Sequence, residues 1–292
     1  MTAFSATGFK ILEADSSKLK NLRDVVFDSE DRMVSSGICY GLMGHDICMI
    51  RYDASGNLDT SFANNGYLLW DHSYAPVNAA NSVKEYAAQI LYDSGFYYAI
   101  TGIDSGSVPG LLESQTGTIL KVRESDGNIV DTVLNIPCKI KALDTTNDAI
   151  YYSGYKLPED DFCWGKINKA NFQLDLDYGA DHDLFLDTSL TDVRNRSYNL
   201  TVTNQNEAYV CGNASLNATD GKMLKIKSDG TLDTDFGNSG IMTFSDLYGV
   251  ESTSENRLSP IPLPNNQLLV FGYSETEING TQYYRIFTNM LD

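Results

Sequence analysis

Apolar and polar residues follow one another along this chain in short runs. Segments such as "FYYAITG", "TILKVR", "AIYYSG" and "MLKIKS" hold four to seven residues rich in Val, Ile, Tyr and Phe, bounded by Gly, Asn and Asp. That period and composition are those of β-strands. No stretch sets apolar residues at i, i+3, i+4 and i+7, as an amphipathic helix requires. The pattern predicts an all-β chain.

The runs recur in a fixed order. A polar turn, an apolar run and a glycine appear five times, ending at Gly37, Gly102, Gly154, Gly212 and Gly272, with steps of 65, 52, 58 and 60 residues. Each is followed by an apolar strand carrying one basic residue: Arg51, Lys121, Lys166, Lys225 and Arg285. Next comes a turn and a further strand, clearest in "SGNLDTSFANNGYLLWD" (Ser55–Asp71) and "DGTLDTDFGNSGIMTFS" (Asp229–Ser245). Each repeat thus supplies about four strands, a to d, and four antiparallel strands in roughly 60 residues fit a propeller blade. The fifth repeat stops after its c strand. The chain begins with "GFKILEAD" (Gly8–Asp15), which matches the d strand "GYLLWD". Residues 1–292 are therefore expected to form one five-bladed β-propeller with an N-terminal strand closing the last blade, which would leave no open sheet edge there.

The repeated turn reads as scaffold. Its recurring aspartates, Asp59, Asp131, Asp175 and Asp233, can accept backbone N–H bonds, and Phe62, Tyr178 and Phe236 would pack beneath it. "RYDASGNLDTSFANNGYLL" and "KIKSDGTLDTDFGNSGIMTF" resemble the bacterial delta-60 repeat. The resemblance implies a β-propeller and a place among secreted or surface proteins. It implies no catalytic residue.

Composition narrows the function. Thirty-nine acidic residues against 21 basic ones give a net charge of −18, unfavourable for nucleic acid or anionic membrane, which need clustered Lys and Arg. No apolar run reaches the roughly 20 residues of a membrane span. The opening "MTAFSATGFK" lacks a basic start and an apolar core, so no signal peptide is visible. The five cysteines, Cys39, Cys48, Cys138, Cys163 and Cys211, contain no CxxC pair. Free buried thiols are expected, although Cys39 and Cys48 could meet across neighbouring strands.

In an antiparallel blade the a–b and c–d connections share one end, and the b–c and d–a connections share the other. The a–b turns are short throughout, whereas the other end carries long, dissimilar loops such as Ile103–Gly117 and Asp71–Glu85. Long loops on a rigid frame are where binding sits. That end gathers Tyr40, Tyr74, Tyr86, Tyr155, Tyr248 and Tyr273, with His45, Asp46, Asp71, His72, Arg194, Arg196 and Arg257. Tyrosine rings stack on sugars or fill protein interfaces. The expected function is a non-catalytic recognition module on a bacterial or virion surface, needing no cofactor and taking a glycan or protein ligand. Two alternatives stand beside it. One is a glycosidase-like hydrolase with Asp24 and Glu85 at the central pit; the other is a structural subunit of a fibre or secretion machine. His45 and His72 with Asp46 or Asp71 offer a transition-metal set. Asp175, Asp177, Asp181 and Asp183 offer a calcium site.

Overall fold

A computed structural model describes residues 19–40, 45–70, 84–104, 116–156, 161–179, 194–215, 220–244, 254–263, 267–278 and 281–291. Among these residues every regular element is a β-strand. The chain divides into two compact units, Met1–Ile140 and Lys141–Asp292.

The first unit holds two four-stranded antiparallel meanders. One is β1 (Leu19–Phe27), β2 (Met33–Tyr40), β3 (His45–Tyr52) and β4 (Tyr67–Trp70). The other is β5 (Lys84–Asp93), β6 (Phe96–Asp104), β7 (Gly117–Arg123) and β8 (Ile129–Ile136). A single parallel bridge, His45 to Lys84, joins them into one eight-stranded sheet. Val34, Met49 and Phe62 of the first meander pack on Ile90, Tyr97, Ala99, Leu120 and Val122 of the second. These side chains are buried, and removal of such surface from water is the main force holding sheet to sheet.

The second unit repeats the plan. Its first sheet is β9 (Lys139–Thr145, beginning at the unit boundary), β10 (Ala149–Lys156), β11 (Asp161–Asn168) and β12 (Gln173–Leu174). The next is β13 (Arg194–Val202), β14 (Ala208–Ser215), β15 (Asp220–Ile226) and β16 (Ile241–Phe244). The last has three described strands, β17 (Ser254–Pro262), β18 (Leu268–Ile278) and β19 (Thr281–Leu291). Tyr151, Phe162 and Trp164 pack against Leu200, Val210 and Leu224. The opposite face of that middle sheet, Cys211 and Met223, packs against Leu258, Leu268 and Val270. That middle sheet is thus apolar on both faces, as a sheet between two others requires. The fold is all-β and built from four-stranded antiparallel meanders of the propeller-blade kind. Gly8–Asp15, the segment expected to close the last sheet, lies outside the described residues.

First strands tie consecutive sheets together. Asp24 on β1 accepts the Ile90 N–H of β5 (3.0 Å). Asp144 on β9 accepts the Val202 N–H of β13 (2.8 Å). Asn199 on β13 donates to the Leu258 carbonyl and the Ser259 hydroxyl of β17 (3.3 and 2.8 Å). β1 and β13 are each bulged where they run beside the recurring glycine: Leu22 lies opposite Gly37, and Ser197 opposite Gly212. A bulge bends and twists a strand locally, which explains why the second strand keeps a residue without a side chain there.

The expectation of free thiols is overturned for four of the five cysteines, while the Cys39–Cys48 pairing left open by the sequence is made. Cys39 and Cys48 form a disulfide across β2 and β3, with Cα atoms 5.7 Å apart. In the register Cys39 faces Asp46 and Cys48 faces Gly37, so the bridge is diagonal. Cys138 and Cys163 are also disulfide-bonded. Cys211 alone is free; it is buried, and burial pushes its thiol well above the ordinary range.

Candidate functional site

Two ends of the sheets differ in chemistry, and the turn end is the better defined. Its repeated unit links the basic residue of three c strands to the aspartate eight or nine positions later. Arg51 Nε lies 2.8 Å from Asp59 Oδ2, Lys166 Nζ 3.1 Å from Asp175, and Lys225 Nζ 3.1 Å from Asp233. In each case the aspartate N–H also donates to the carbonyl of the same basic residue, at 2.8–2.9 Å. The aromatic three positions on donates its own N–H back to the aspartate carbonyl: Phe62, Tyr178 and Phe236. In the second meander Lys121 faces Asp131 in the register, and its ammonium sits 4.5 Å from the centre of the Phe96 ring.

The turn also fastens sheet to sheet. The Ala63 N–H donates to the Asp126 carbonyl, and the Gly179 N–H to the Asp229 carbonyl, each at 2.8 Å. Gly127 and Gly230 follow those aspartates at positive φ. A Cβ on Gly127 would fall 2.7 Å from the Ala63 nitrogen, and one on Gly230 only 2.3 Å from the Gly179 nitrogen. The copied turn quoted above is therefore an inter-sheet clasp as well as the link from strand c to strand d.

In the first unit this end is sealed by charge. Arg51 is fully buried. It donates to Asp59, to Ser61 Oγ (3.3 Å) and to the Glu124 carbonyl, with its guanidinium 4.6 Å from the Phe62 ring centre. Arg32 pairs with Asp28 and with Glu124, each at 2.8 Å. The Tyr92 and Ser29 hydroxyls donate to Glu124 (2.8 Å each), and the Tyr97 hydroxyl donates to Asp28. Burial alone would raise the Asp28 pKa. The Tyr97 hydroxyl, the Glu30 and Arg32 amides and the Arg32 guanidinium outweigh it and hold the carboxyl below its ordinary range. Asp59 is lowered in the same sense, burial being opposed by Ser61 and Arg51.

A depressed folded pKa means that the unfolded chain binds more protons in the window between the two values. These groups therefore stabilise fully above the ordinary carboxylate value of about 4, and that contribution is lost as pH falls through the folded values. Urea midpoints of the wild type should drop over that acid window. Asp28→Asn should lower stability at pH 7, by leaving Arg32 short of its partner, and should flatten the acid limb. An unchanged acid limb would remove Asp28 from the linkage.

The turn-end carboxylates are thus occupied by arginine, lysine and backbone. Asp175 holds Lys166 and also accepts the Asp177 N–H. Its partners in the calcium set, Asp181 and Asp183, lie outside the described residues. Among the described residues no three His, Cys, Asp or Glu side chains are grouped to hold a metal.

At the loop end the backbone register sets out a row. Tyr40 pairs with His45 across β2 and β3, His45 bridges to Lys84 of β5, and Lys84 pairs with Asp104 of β6. Asp46 and Tyr86 stand next to this row in sequence. The Cys39–Cys48 disulfide fixes the hairpin end at its base, since Cys39 precedes Tyr40 and faces Asp46. Lys84 and Asp104 carried no motif in the sequence; only the pairing of β5 with β3 and β6 brings them beside His45.

Other expected residues are dispersed. Arg257 pairs with Tyr273 across β17 and β18, while Arg194 and Arg196 lie on β13 opposite Ser215 and Asn213. Tyr155 is buried on β10, where the Lys141 ammonium approaches its ring to 5.8 Å. Asp71, His72, Tyr74 and Tyr248 lie outside the described residues. Of the proposed acid pair, Asp24 is half-buried and engaged with the Ile90 amide, and Glu85 sits on β5 opposite Ile103.

No family profile matches the sequence, and no curated protein matches it significantly. Two solved structures are similar at a distance. One is a hydrolase candidate from Bacteroides ovatus, at 10% identity and a TM-score of 0.45, over 91% of this chain and 84% of that one. The other is an exo-β-1,3-galactanase from Phanerochaete chrysosporium, at 8% identity and a TM-score of 0.44, over 97% of this chain and 62% of that one. Likeness at this level carries no argument about what this chain does.

Proposed function

We propose that this chain is a non-catalytic recognition module that holds a surface glycan at the loop end of its sheets. The observation carrying this reading is the row Tyr40–His45–Lys84–Asp104 on a disulfide-fixed hairpin. It combines an aromatic ring with donors and acceptors, the mixture that a hydroxyl-rich ligand requires. The opposite end supports the same division of labour, because its carboxylates are consumed in clasps between sheets. The five meanders are read as the blades of one propeller of the delta-60 repeat kind. The Cys39–Cys48 bridge favours an oxidising compartment, hence a cell or virion surface.

The hydrolase alternative asks for two uncommitted carboxylates at a set separation. The engagement of Asp24 with the Ile90 amide favours a brace over an acid there. A glycan array probed with the full chain tests the proposal. Retention on a bounded set of glycans, without release of sugar from them, is the expected result. Retention on none, or cleavage of the glycan retained, would overturn it.

A further inference from the structure

One b–c hairpin is built differently from its counterparts. In β14–β15 the strands pair as far as Ala214 and Asp220, and in β18–β19 as far as Ile278 and Thr281. Neither hairpin holds a disulfide. Backbone pairing therefore closes such a hairpin unaided. Ala214 stands two residues past the recurring glycine, Gly212, and Lys222 faces that glycine. In β2–β3 the same two positions are Cys39 and Cys48, and they are bridged. The bridge answers a need peculiar to the first hairpin.

That need lies at the hairpin end. Tyr40–His45 is the last described pair, one step beyond Cys39–Asp46. His45 also makes the one parallel bridge, to Lys84, that joins β3 to β5 among the described residues. β5 is held to β6 at eight paired positions, whereas it meets β3 at one. The row therefore depends on where the end of β3 is held. The frame does not. The Arg51 end of β3 is fastened by Asp59, Ser61 and the Glu124 carbonyl, and Val34 and Met49 are buried in the apolar cluster between the meanders. One end of β3 is thus held by a covalent bond and the other by charge and packing. Segments held separately can open separately.

We propose that the Cys39–Cys48 disulfide is a redox switch for the row. Oxidised, it keeps the His45–Lys84 backbone bridge in place. Reduced, the row end of the hairpin opens while the clasp end of the first unit stays folded. The reductant is a dithiol. Its thiolate attacks one sulfur of the bridge, the S–S bond breaks, and its second thiol resolves the mixed disulfide. Cys39 and Cys48 gain two electrons and two protons as free thiols, and the dithiol leaves as a cyclic disulfide. Both cysteines are buried, so attack follows opening of the hairpin end.

Amide hydrogen exchange of the full chain tests the switch without any ligand. In Cys39→Ala/Cys48→Ala the amides of 39–40, 45–47 and 84–85 should exchange at least tenfold faster than in the wild type. Those of Arg51, Asp59, Phe62 and Gly66, bonded within the clasp, should be unchanged. The wild type reduced with dithiothreitol, which keeps both side chains, should give the same pattern. Cys138→Ala/Cys163→Ala should leave the row amides as they are in the wild type. Unchanged exchange at the row, or equal acceleration at row and clasp, would overturn the proposal. A second arm rests on the recognition reading above. The glycan retained on the array should bind Cys39→Ala/Cys48→Ala at least tenfold more weakly. By linkage, saturating glycan should then move the midpoint of this bridge about 30 mV more negative, read by alkylation and mass spectrometry of its cysteines. Equal affinity for both forms would overturn the switch. Retention of no glycan by the oxidised wild type would overturn the recognition reading instead, and the exchange arm would decide the switch.

Discussion

Replacing Arg51 by alanine is expected to destabilise the first unit by about 3–5 kcal/mol, the cost of breaking a buried ion pair by deleting one partner. Arg51 is fully buried, and its guanidinium satisfies Asp59, Ser61 and the Glu124 carbonyl together. Removing it strands the Asp59 carboxylate and the Glu124 carbonyl and opens a void beneath Phe62. Arg51→Lys should recover little, because one ammonium cannot reproduce the fork that reaches three partners. Lys225 occupies the same place in the repeat and pairs with the matching aspartate, but its side chain is 19% exposed. Lys225→Ala should therefore cost only about 1 kcal/mol or less. Urea unfolding read from Trp70 in a Trp164→Phe background for Arg51, and from Trp164 in a Trp70→Phe background for Lys225, measures both. Equal losses would mean that burial does not distinguish the two copies of the clasp.

Gly37→Ala is the second large effect. A Cβ on Gly37 would stand 2.1 Å from the Asn21 carbonyl oxygen and 2.9 Å from the Leu22 Cα. Both are backbone atoms of the bulged β1, so no side chain can swing aside. Overpacking of this kind costs about 1–3 kcal/mol where the surroundings relax, and here the upper end of that range is expected. The change should separate β1 from β2 and raise hydrogen exchange at 19–27 before the remainder of the unit. Ser36→Ala, at the adjacent buried position, is the comparison. Its hydroxyl has no partner among the described residues, so that change should be neutral or mildly stabilising. Destabilisation by Ser36→Ala and none by Gly37→Ala would invert the account of this hairpin.

The strand pattern was legible because strands buried on both faces leave short, continuous apolar runs bounded by Gly, Asn and Asp. The turn, apolar run and basic strand recur in five meanders among the described residues, from β2 and β3 to β18 and β19, the first two meanders sharing one sheet. The degenerate third copy, "NFQLDLDYGADHDLFLD", keeps the bridge before the clasp, Leu174 to Ile167, and the clasp itself through Lys166 and Asp175, while its d segment lies outside the described residues. What the sequence hid were contacts between distant positions. Asp28 meets Tyr97 across 69 residues and Arg32 meets Glu124 across 92; no periodicity encodes such pairs. The basic residue of strand c and the aspartate of the turn were each visible, but their union was not. It depends on the chain doubling back within eight or nine residues. The Cys39–Cys48 pairing was left open by the sequence for a related reason. A spacing of nine cannot reveal that the β2–β3 register sets Cys39 diagonal to Cys48. At the loop end the aromatic and histidine candidates were readable as types, whereas Lys84 and Asp104 became candidates only through strand pairing.

The central claim is that recognition sits on the Tyr40–His45–Lys84–Asp104 row and that the turns bearing the clasps are frame. Its most direct test is the dissociation constant for the glycan retained on the array, measured for three forms of the full chain. The forms are the wild type, His45→Ala/Lys84→Ala at the row, and Glu30→Ala/Asp31→Ala on the exposed β1–β2 turn. The account predicts at least a tenfold loss for the row variant and an unchanged constant for the turn variant. An unchanged constant for the row variant, or a loss confined to the turn variant, would contradict it.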